Sequence, residues 1–225
     1  MSAAGPVNGP AAVPAPPVAA AGFAVPIQVV AGTGAAAGVS AWLAEDHSVP
    51  VVSISWGWSG GAALDPDGQE GAAAMAAALL TEGAGDLPAA QFQDALRDAG
   101  ISLSFNADRD GFEGGLRALR TPPNAPGTDA LPEAVRLARL AMTAPRLDPE
   151  AVESVRARAV FGARQQLEGP RGQASRAFWA AAFPGSPYGR LPGGTAESLA
   201  ALPVEAIRAA VERQLVRAGG VNGLL

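Results

Sequence analysis

The sequence predicts an α+β fold in which a mostly antiparallel sheet is backed by helices. Segments of alternating apolar and polar residues occur in pairs joined by short turns, as in β-hairpins. Alanine-rich and amphipathic segments of helical length lie between and after these pairs. Because the strands come in hairpins and not in alternating β-α-β units, an antiparallel sheet is expected.

The first hairpin is predicted over residues 39–58. Val39, Ala41 and Leu43 alternate with Ser40, Trp42 and Ala44, and Val52, Ile54, Trp56 and Trp58 alternate with Val51, Ser53, Ser55 and Gly57. Residues 45–50 would connect the two strands as antiparallel neighbours, and turn residues at 60–61 and 65–68 would follow. Trp56 and Trp58 share one face of their strand. They could mark a partner surface, but packing in the core is the favoured interpretation.

Two helices are predicted next. Residues 69–81 are nearly all small, and alanine favours helix strongly. A second helix begins near Pro88, which suits a first helical turn, and ends at Gly100. Its apolar face consists of Phe92, Ala95, Leu96 and Ala99.

A second hairpin and further helices complete the prediction. Strands are expected over residues 101–107 and from the turn at Asp110-Gly111 to about Leu119, followed by a Pro/Gly loop over residues 121–128. Two helices are indicated by apolar stripes, one at Leu131, Val135, Ala138 and Met142, the other at Val152, Val155, Ala159 and Ala163. Residues 172–183 and 203–217 predict two more helices.

Composition narrows the domain organisation and the possible functions. Residues 1–26 are rich in Pro and Ala, which predicts a disordered leader before a domain spanning residues 27–220. That leader lacks the basic start and apolar middle of a signal peptide, and no run of residues is apolar enough for a membrane span. A net charge of −5 argues against nucleic acid as a partner. The absence of cysteine fits the cytoplasm or the periplasm and removes every Cys-based metal site.

The sequence contains few side chains that could bind a catalytic metal or act as a nucleophile or base. His47 is the sole histidine, so the chain cannot supply the two histidines of an H-x-x-E-H zinc site. His47 lies between two predicted strands and is interpreted as a turn residue in solvent. The 21 acidic residues leave carboxylate-only catalysis open as a hypothesis, although no pair is marked out by its sequence setting.

Several segments, in this order, resemble the N-terminal half of the insulinase/pitrilysin family of zinc peptidases, which includes the mitochondrial processing peptidases. They are Trp42 to Val52, Gly60 to Pro66 with Gly68 to Gly71, Asn106 to Asp110, Leu147 to Glu150, Ser186 to Arg190, and Gly194 to Leu199. The resemblance covers about residues 39–217. It implies one insulinase-like domain, with the C-terminal half of the family absent from this chain. It also slightly favours a periplasmic location.

The resemblance further implies that the zinc site is lost. Matching Gly71 to the glycine before the family's H-x-x-E-H motif places the three motif residues at Ala74, Ala77 and Ala78. The third ligand, a glutamate in active members, would fall near Phe161 or Gly162. None of these residues binds metal, so the chain is expected to hold no cofactor of its own, with zinc confined to a partner subunit. The three alanines are expected to be buried and to serve packing.

Pairing with a zinc-bearing subunit is also implied by the resemblance, because some family members combine an active subunit with a degenerate one. Phe105, Asn106 and Ala107 match the edge strand that binds substrate in active relatives, although a structural role is an equal alternative. The chain is thus expected to be a non-catalytic subunit of a peptidase that acts on peptides. The alternative is a stand-alone, chaperone-like module that binds extended peptides. Five arginines, at positions 156, 158, 164, 171 and 176, could line an acidic-substrate chamber, but a solvated helix face is favoured.

Overall fold

Seven β-strands and seven α-helices follow one another in the computed structural model, which describes residues 25–34, 37–121, 127 and 129–215. The strands are β1 (Ile27–Ala31), β2 (Ser40–Ala44), β3 (Val51–Ser59), β4 (Gly83–Ala84), β5 (Leu87–Pro88), β6 (Ser102–Ala107) and β7 (Gly111–Leu119). The helices are α1 (Ala72–Leu79), α2 (Ala89–Asp98), α3 (Leu131–Thr143), α4 (Pro149–Glu168), α5 (Pro170–Ala182), α6 (Ala196–Ala201) and α7 (Val204–Gln214). The predicted α+β class is confirmed. Most of the proposed leader and the predicted domain end at 216–220 lie outside the described residues.

Every strand pair among these residues is antiparallel, and the main sheet has the order β3-β7-β6. The second predicted hairpin is confirmed, since β6 pairs with β7 across the turn at residues 108–110. The first predicted hairpin is wrong, because its two strands do not pair with each other. β2 pairs with β1, with Val29 opposite Trp42, whereas β3 pairs with β7. Alternation identified the strands correctly, but the choice of partner depends on contacts that are distant in sequence.

The sheet has one apolar and one polar face. Trp56 is buried, and Trp58 is half-buried and packs near Phe112, so the core interpretation of the two tryptophans is confirmed. Helix α1 packs on this side of the sheet, with β6, α4 and α7 as its neighbours. The opposite face carries exposed polar side chains, among them Ser53, Ser55, Ser104, Asn106 and Glu113.

The apolar stripe predicted for α3 is displaced. Val135 is exposed and Met142 is half-buried, whereas the buried positions are Ala134, Leu137, Ala138 and Ala141. The buried set has helical spacing but is shifted by about one residue along the helix, so that Leu137 and three alanines pack in the core while Val135 does not. Within the part of the chain that the structure describes, no helix is long and apolar enough to cross a lipid bilayer.

Candidate functional site

The start of helix α1 is held in place by Gly71 and Asp65. Gly71 has a φ of +94°, and a Cβ atom there would lie 2.8 Å from the Gly193 carbonyl oxygen, so a larger residue would meet both strain and a clash. The carboxylate of Asp65 accepts hydrogen bonds from the backbone N–H groups of Gly71 and Ala73, each at 3.0 Å. Asp65 therefore satisfies two of the free N–H groups at this helix end.

Asp65 is one of two polar residues in the described buried core. Burial raises the pKa of its carboxyl to about 6, and the hydrogen bonds from Ala73 and Gly71 only partly oppose this rise. Arg190 donates a hydrogen bond to the Asp65 carbonyl oxygen and forms ion pairs with Asp67 and Glu70. Arg190 thus ties the loop before α1 to the segment before α6. These contacts make Asp65 a structural group that positions α1.

The three alanines matched to the metal-binding motif are not equally buried, and the expectation for two of them is wrong. Ala77 is 3% exposed and belongs to the core, but Ala74 is half-buried and Ala78 is exposed. Residues 74 and 78 are four positions apart and share one face of the helix. At these two positions that face carries only methyl groups, one half-buried and one exposed, while residue 77 lies in the core.

Phe161 and Gly162, the two residues near which the third ligand is expected, lie on different lines of α4. Gly162 lies seven residues after the buried Val155, which places both on the same line of α4 within about 20°. A Cβ atom added at Gly162 would meet no atom within 4 Å. Phe161 is displaced by about 100° from that line and is 62% exposed. Both residues are exposed, and Gly162 has open space around it.

Strand β6, which contains Phe105, Asn106 and Ala107, lies at an edge of the main sheet and next to α1. The Asp108 N–H donates a hydrogen bond to the Gly111 carbonyl oxygen, so residues 108 and 111 form a hydrogen-bonded pair. Such pairs alternate along an antiparallel ladder, which directs the backbone N–H and C=O groups of Phe105 and Ala107 towards the open edge. The side chain of Phe105 packs edge-on against Trp56, and that of Asn106 is exposed.

Other candidate groups do not form a catalytic arrangement. His47 is exposed in the loop between β2 and β3, as predicted. Across residues 25–34, 37–121, 127 and 129–215, no three histidine or acidic side chains come together as a metal site. Of the five arginines, Arg156 binds the carbonyl oxygens of Leu199 and Leu202, and Arg158 forms an ion pair with Glu82. These two arginines stabilise helix contacts.

From the sequence, Asp65 is predicted only as part of the turn at residues 65–68, and its role in positioning α1 is not predicted. The available signal was an aspartate six residues before a glycine that begins an alanine-rich helix, a spacing that lets the carboxylate reach the first N–H groups of the helix. The burial and hydrogen bonding of Gln214, the other buried polar residue, could not be predicted from the sequence, because its partner Gly61 is 153 residues away.

Comparisons with solved structures identify the fold. The chain is similar to the inactive domain of a peptidase M16 from Pseudomonas fluorescens, with a TM-score of 0.71, 18% identity, and coverage of 82% of this chain and 42% of that one. It is also similar to a protease from Helicobacter pylori, with a TM-score of 0.71, 15% identity, and coverage of 90% and 46%. Pitrilysin matches with a TM-score of 0.64, 21% identity, and coverage of 79% and 19%.

The chain has the insulinase-like fold. It spans less than half the length of each of these three similar structures. No protein-family model matches the sequence. No curated protein sequence matches it either. The identities of 15–21% relate this chain to the three structures by fold alone.

Proposed function

We propose that this protein is a non-catalytic half or subunit of an insulinase-type zinc metallopeptidase and that it supports a zinc-bearing partner in the hydrolysis of peptides. The observation that carries the proposal is the state of helix α1. Its cap by Asp65 and its packing are intact, yet the outward line through Ala74 and Ala78 offers only methyl groups. A helix that keeps its cap and its packing but has no metal-binding side chains fits a supporting role better than a catalytic one. One of the similar structures is itself described as an inactive domain.

The chain would support its partner by binding the substrate peptide at the open edge of β6. An extended peptide can add to a free sheet edge through main-chain hydrogen bonds, which makes recognition tolerant of sequence. Phe105 and Ala107 offer outward backbone donors and acceptors beside α1. We infer that a substrate peptide lies along this edge while the partner subunit supplies the zinc and the water-activating glutamate.

The proposal is tested by adding the purified chain to a zinc-bearing insulinase-type subunit, first of all one encoded by a neighbouring gene. Hydrolysis of an unstructured fluorogenic peptide should increase several-fold on mixing. Ala107→Pro removes an outward N–H at an edge position where proline is tolerated, and it should abolish the increase. Asn106→Ala alters only the exposed polar face and should retain it. No increase with a partner that binds the chain would overturn the proposed function.

A stand-alone peptide-binding module is the second candidate, and the same open edge favours it. In that case labelled peptides in extended conformation would bind the isolated chain, as measured by fluorescence anisotropy. Binding would be lost in Ala107→Pro and kept in Asn106→Ala. Hydrolysis by a zinc-bearing subunit would then be unaffected by the chain. A gene for an H-x-x-E-H protein beside this one favours the subunit, and a solitary gene favours the module.

A further inference from the structure

Residues 186–190, here called the 186–190 segment, form a short folded connection between α5 and α6. The Ser186 hydroxyl accepts a hydrogen bond from the Tyr188 N–H at 3.3 Å, and a 3₁₀-helix follows over Pro187–Gly189. A Cβ atom at Gly189 would lie 2.5 Å from the Phe183 carbonyl oxygen, so glycine is required where the segment folds back on the end of α5. This close approach holds the 186–190 segment against α5.

An aromatic row joins α5 and the 186–190 segment to the β6–β7 turn. The rings of Trp179 and Phe183 are stacked with their centroids 5.4 Å apart, and the centroids of Phe183 and Tyr188 are 5.7 Å apart. The guanidinium carbon of Arg109 lies 3.8 Å from the centroid of the Trp179 ring, which is a cation–π contact. The Tyr188 hydroxyl donates a hydrogen bond to the carboxylate of Asp110. The aromatic row therefore contacts two neighbouring charged residues of the turn.

The 186–190 segment also contacts the loop that leads into α1. Arg190, two residues after Tyr188, donates a hydrogen bond to the Asp65 carbonyl oxygen at 3.2 Å. The same loop is bonded to the β6–β7 turn. Three of its backbone N–H groups donate to carbonyl oxygens of the turn at 2.6–2.9 Å, namely those of Gly60, Ala62 and Ala63. Tyr188 and Arg190 thus connect the end of β6 with the start of α1.

The end of β6 needs contacts of this kind. β6 has six residues, and within the described residues it pairs only with β7. The end of a short edge strand opens locally more easily than the core of a sheet. The Asp108 carboxylate bonds within the turn, to the N–H groups of Asp110 and Gly111. The side chains of Arg109 and Asp110 leave the turn and contact the aromatic row.

We propose that the 186–190 segment is a clamp that fixes the end of β6 relative to the start of α1, with Tyr188 and Arg190 as its two contact points. The clamp keeps the outward backbone groups of β6 in one position beside α1. Binding to a preformed edge costs less ordering than binding to a mobile one. The consequence for peptides rests on the proposed function: Tyr188 is a positioning residue that favours peptide binding without contacting the peptide.

Amide hydrogen exchange of the full chain tests the clamp directly. The informative amides are those of Asn106 and Asp108, which point towards β7. Tyr188→Phe keeps the ring and removes the hydroxyl, and these two amides should exchange about fivefold faster, as expected for the loss of one ordinary hydrogen bond. Exchange in α7 should stay unchanged. Asp110→Ala should match Tyr188→Phe, whereas Asp110→Asn keeps an acceptor for the hydroxyl and should exchange like the wild type. Ser175→Ala, which removes an exposed hydroxyl from α5, is the control.

Steady-state kinetics with a zinc-bearing partner subunit test the role in peptide binding. Tyr188→Phe should raise the KM for an unstructured peptide about fivefold at unchanged kcat, because the substitution alters the order of the edge and leaves the chemistry untouched. Asp110→Asn should keep the wild-type KM. This rescue separates positioning from a general loss of stability.

The outcomes distinguish the clamp from the proposed function. Unchanged exchange at Asn106 and Asp108 in Tyr188→Phe would overturn the clamp, and so would an equal increase throughout α7. Faster exchange at these two amides with an unchanged KM would overturn the role in peptide binding and leave the proposed function standing. A wild-type chain that gives no increase in hydrolysis would overturn the proposed function, while the exchange rates still decide for or against the clamp.

Discussion

The side chain of Gln214 makes two hydrogen bonds to the backbone of Gly61, which lies 153 residues earlier in the chain. The amide Nε2 donates to the Gly61 carbonyl oxygen at 2.7 Å, and Oε1 accepts from the Gly61 N–H at 3.1 Å. Gln214 is 2% exposed, so no solvent competes for these groups. The pair joins the end of α7 to the loop that leads into α1.

Replacing Gln214 should therefore be costly. Gln214→Leu would leave the buried N–H and C=O of Gly61 without partners, and we expect a loss of about 2–4 kcal/mol in the free energy of unfolding. Urea denaturation measures this loss. Glu212→Ala, at an exposed position of the same helix, should change the stability by less than about 0.5 kcal/mol. Equal effects of the two substitutions would contradict the role assigned to Gln214.

The burial difference along α1 predicts a contrast between neighbouring residues. Ala77→Phe should overpack the core and cost about 1–3 kcal/mol. Ala78→Phe, the same change at the adjacent exposed residue, should cost less than about 0.5 kcal/mol. His47→Ala should be equally silent, because His47 is exposed in a loop. Thermal melts of the three variants decide the matter. A function lost in His47→Ala while Ala77→Phe remains fully stable would instead indicate a site around His47.

Asp65 should impose a pH dependence on stability. Its pKa is 3.8 in the unfolded chain and about 6 in the fold, so the folded state binds this proton more tightly. The resulting stabilisation is present below pH 4 and is lost as the pH rises through 6, by about 1–3 kcal/mol. Asp65→Asn removes this titration. The stability of the wild type relative to Asp65→Asn should therefore fall between pH 4 and pH 7 in urea melts. A rise over that range would mean that the two backbone N–H groups outweigh burial.

Zinc content is the direct test of the alanine assignments. We expect no stoichiometric zinc after purification and mild chelation, because residues 74, 77, 78 and 162 provide no ligand atom in their side chains. Elemental analysis measures the metal content. Roughly one tightly held zinc per chain, resistant to chelation, would show that an unrecognised set of ligands exists.

Restoring the motif alone should not restore activity. The triple variant Ala74→His, Ala77→Glu and Ala78→His still lacks a glutamate at Gly162, and the buried position 77 would receive an unpaired charge. We expect lower thermal stability and no hydrolysis of an unstructured peptide. The variant with Ala74→His and Ala78→His alone avoids the buried charge and should melt close to the wild type. Clear hydrolysis by the triple variant would place the third ligand elsewhere.

The sequence by itself determined the fold class, most of the strand and helix segments, and the residue types available for chemistry, although the strands β1, β4 and β5 and the helix α6 were not predicted. Alternation at residues 51–58 and 101–107 identified strands because side chains of a strand point to opposite faces in turn, a property of the local chain. The single histidine and the alanines at 74, 77 and 78 limited the possible chemistry in the same direct way. These features depend on residue type and spacing over a few positions.

The tertiary structure decided which strands pair and which residues are buried. It paired β2 with β1 and not with β3, exposed Ala78 while burying Ala77, and rotated the buried stripe of α3 to Ala134 and Leu137. Each outcome depends on which surface an element meets, and that surface is built from residues far away in sequence. Gln214 and Gly61 illustrate the limit: hydrogen bonding requires proximity in space, and local patterns of residues contain no information about it.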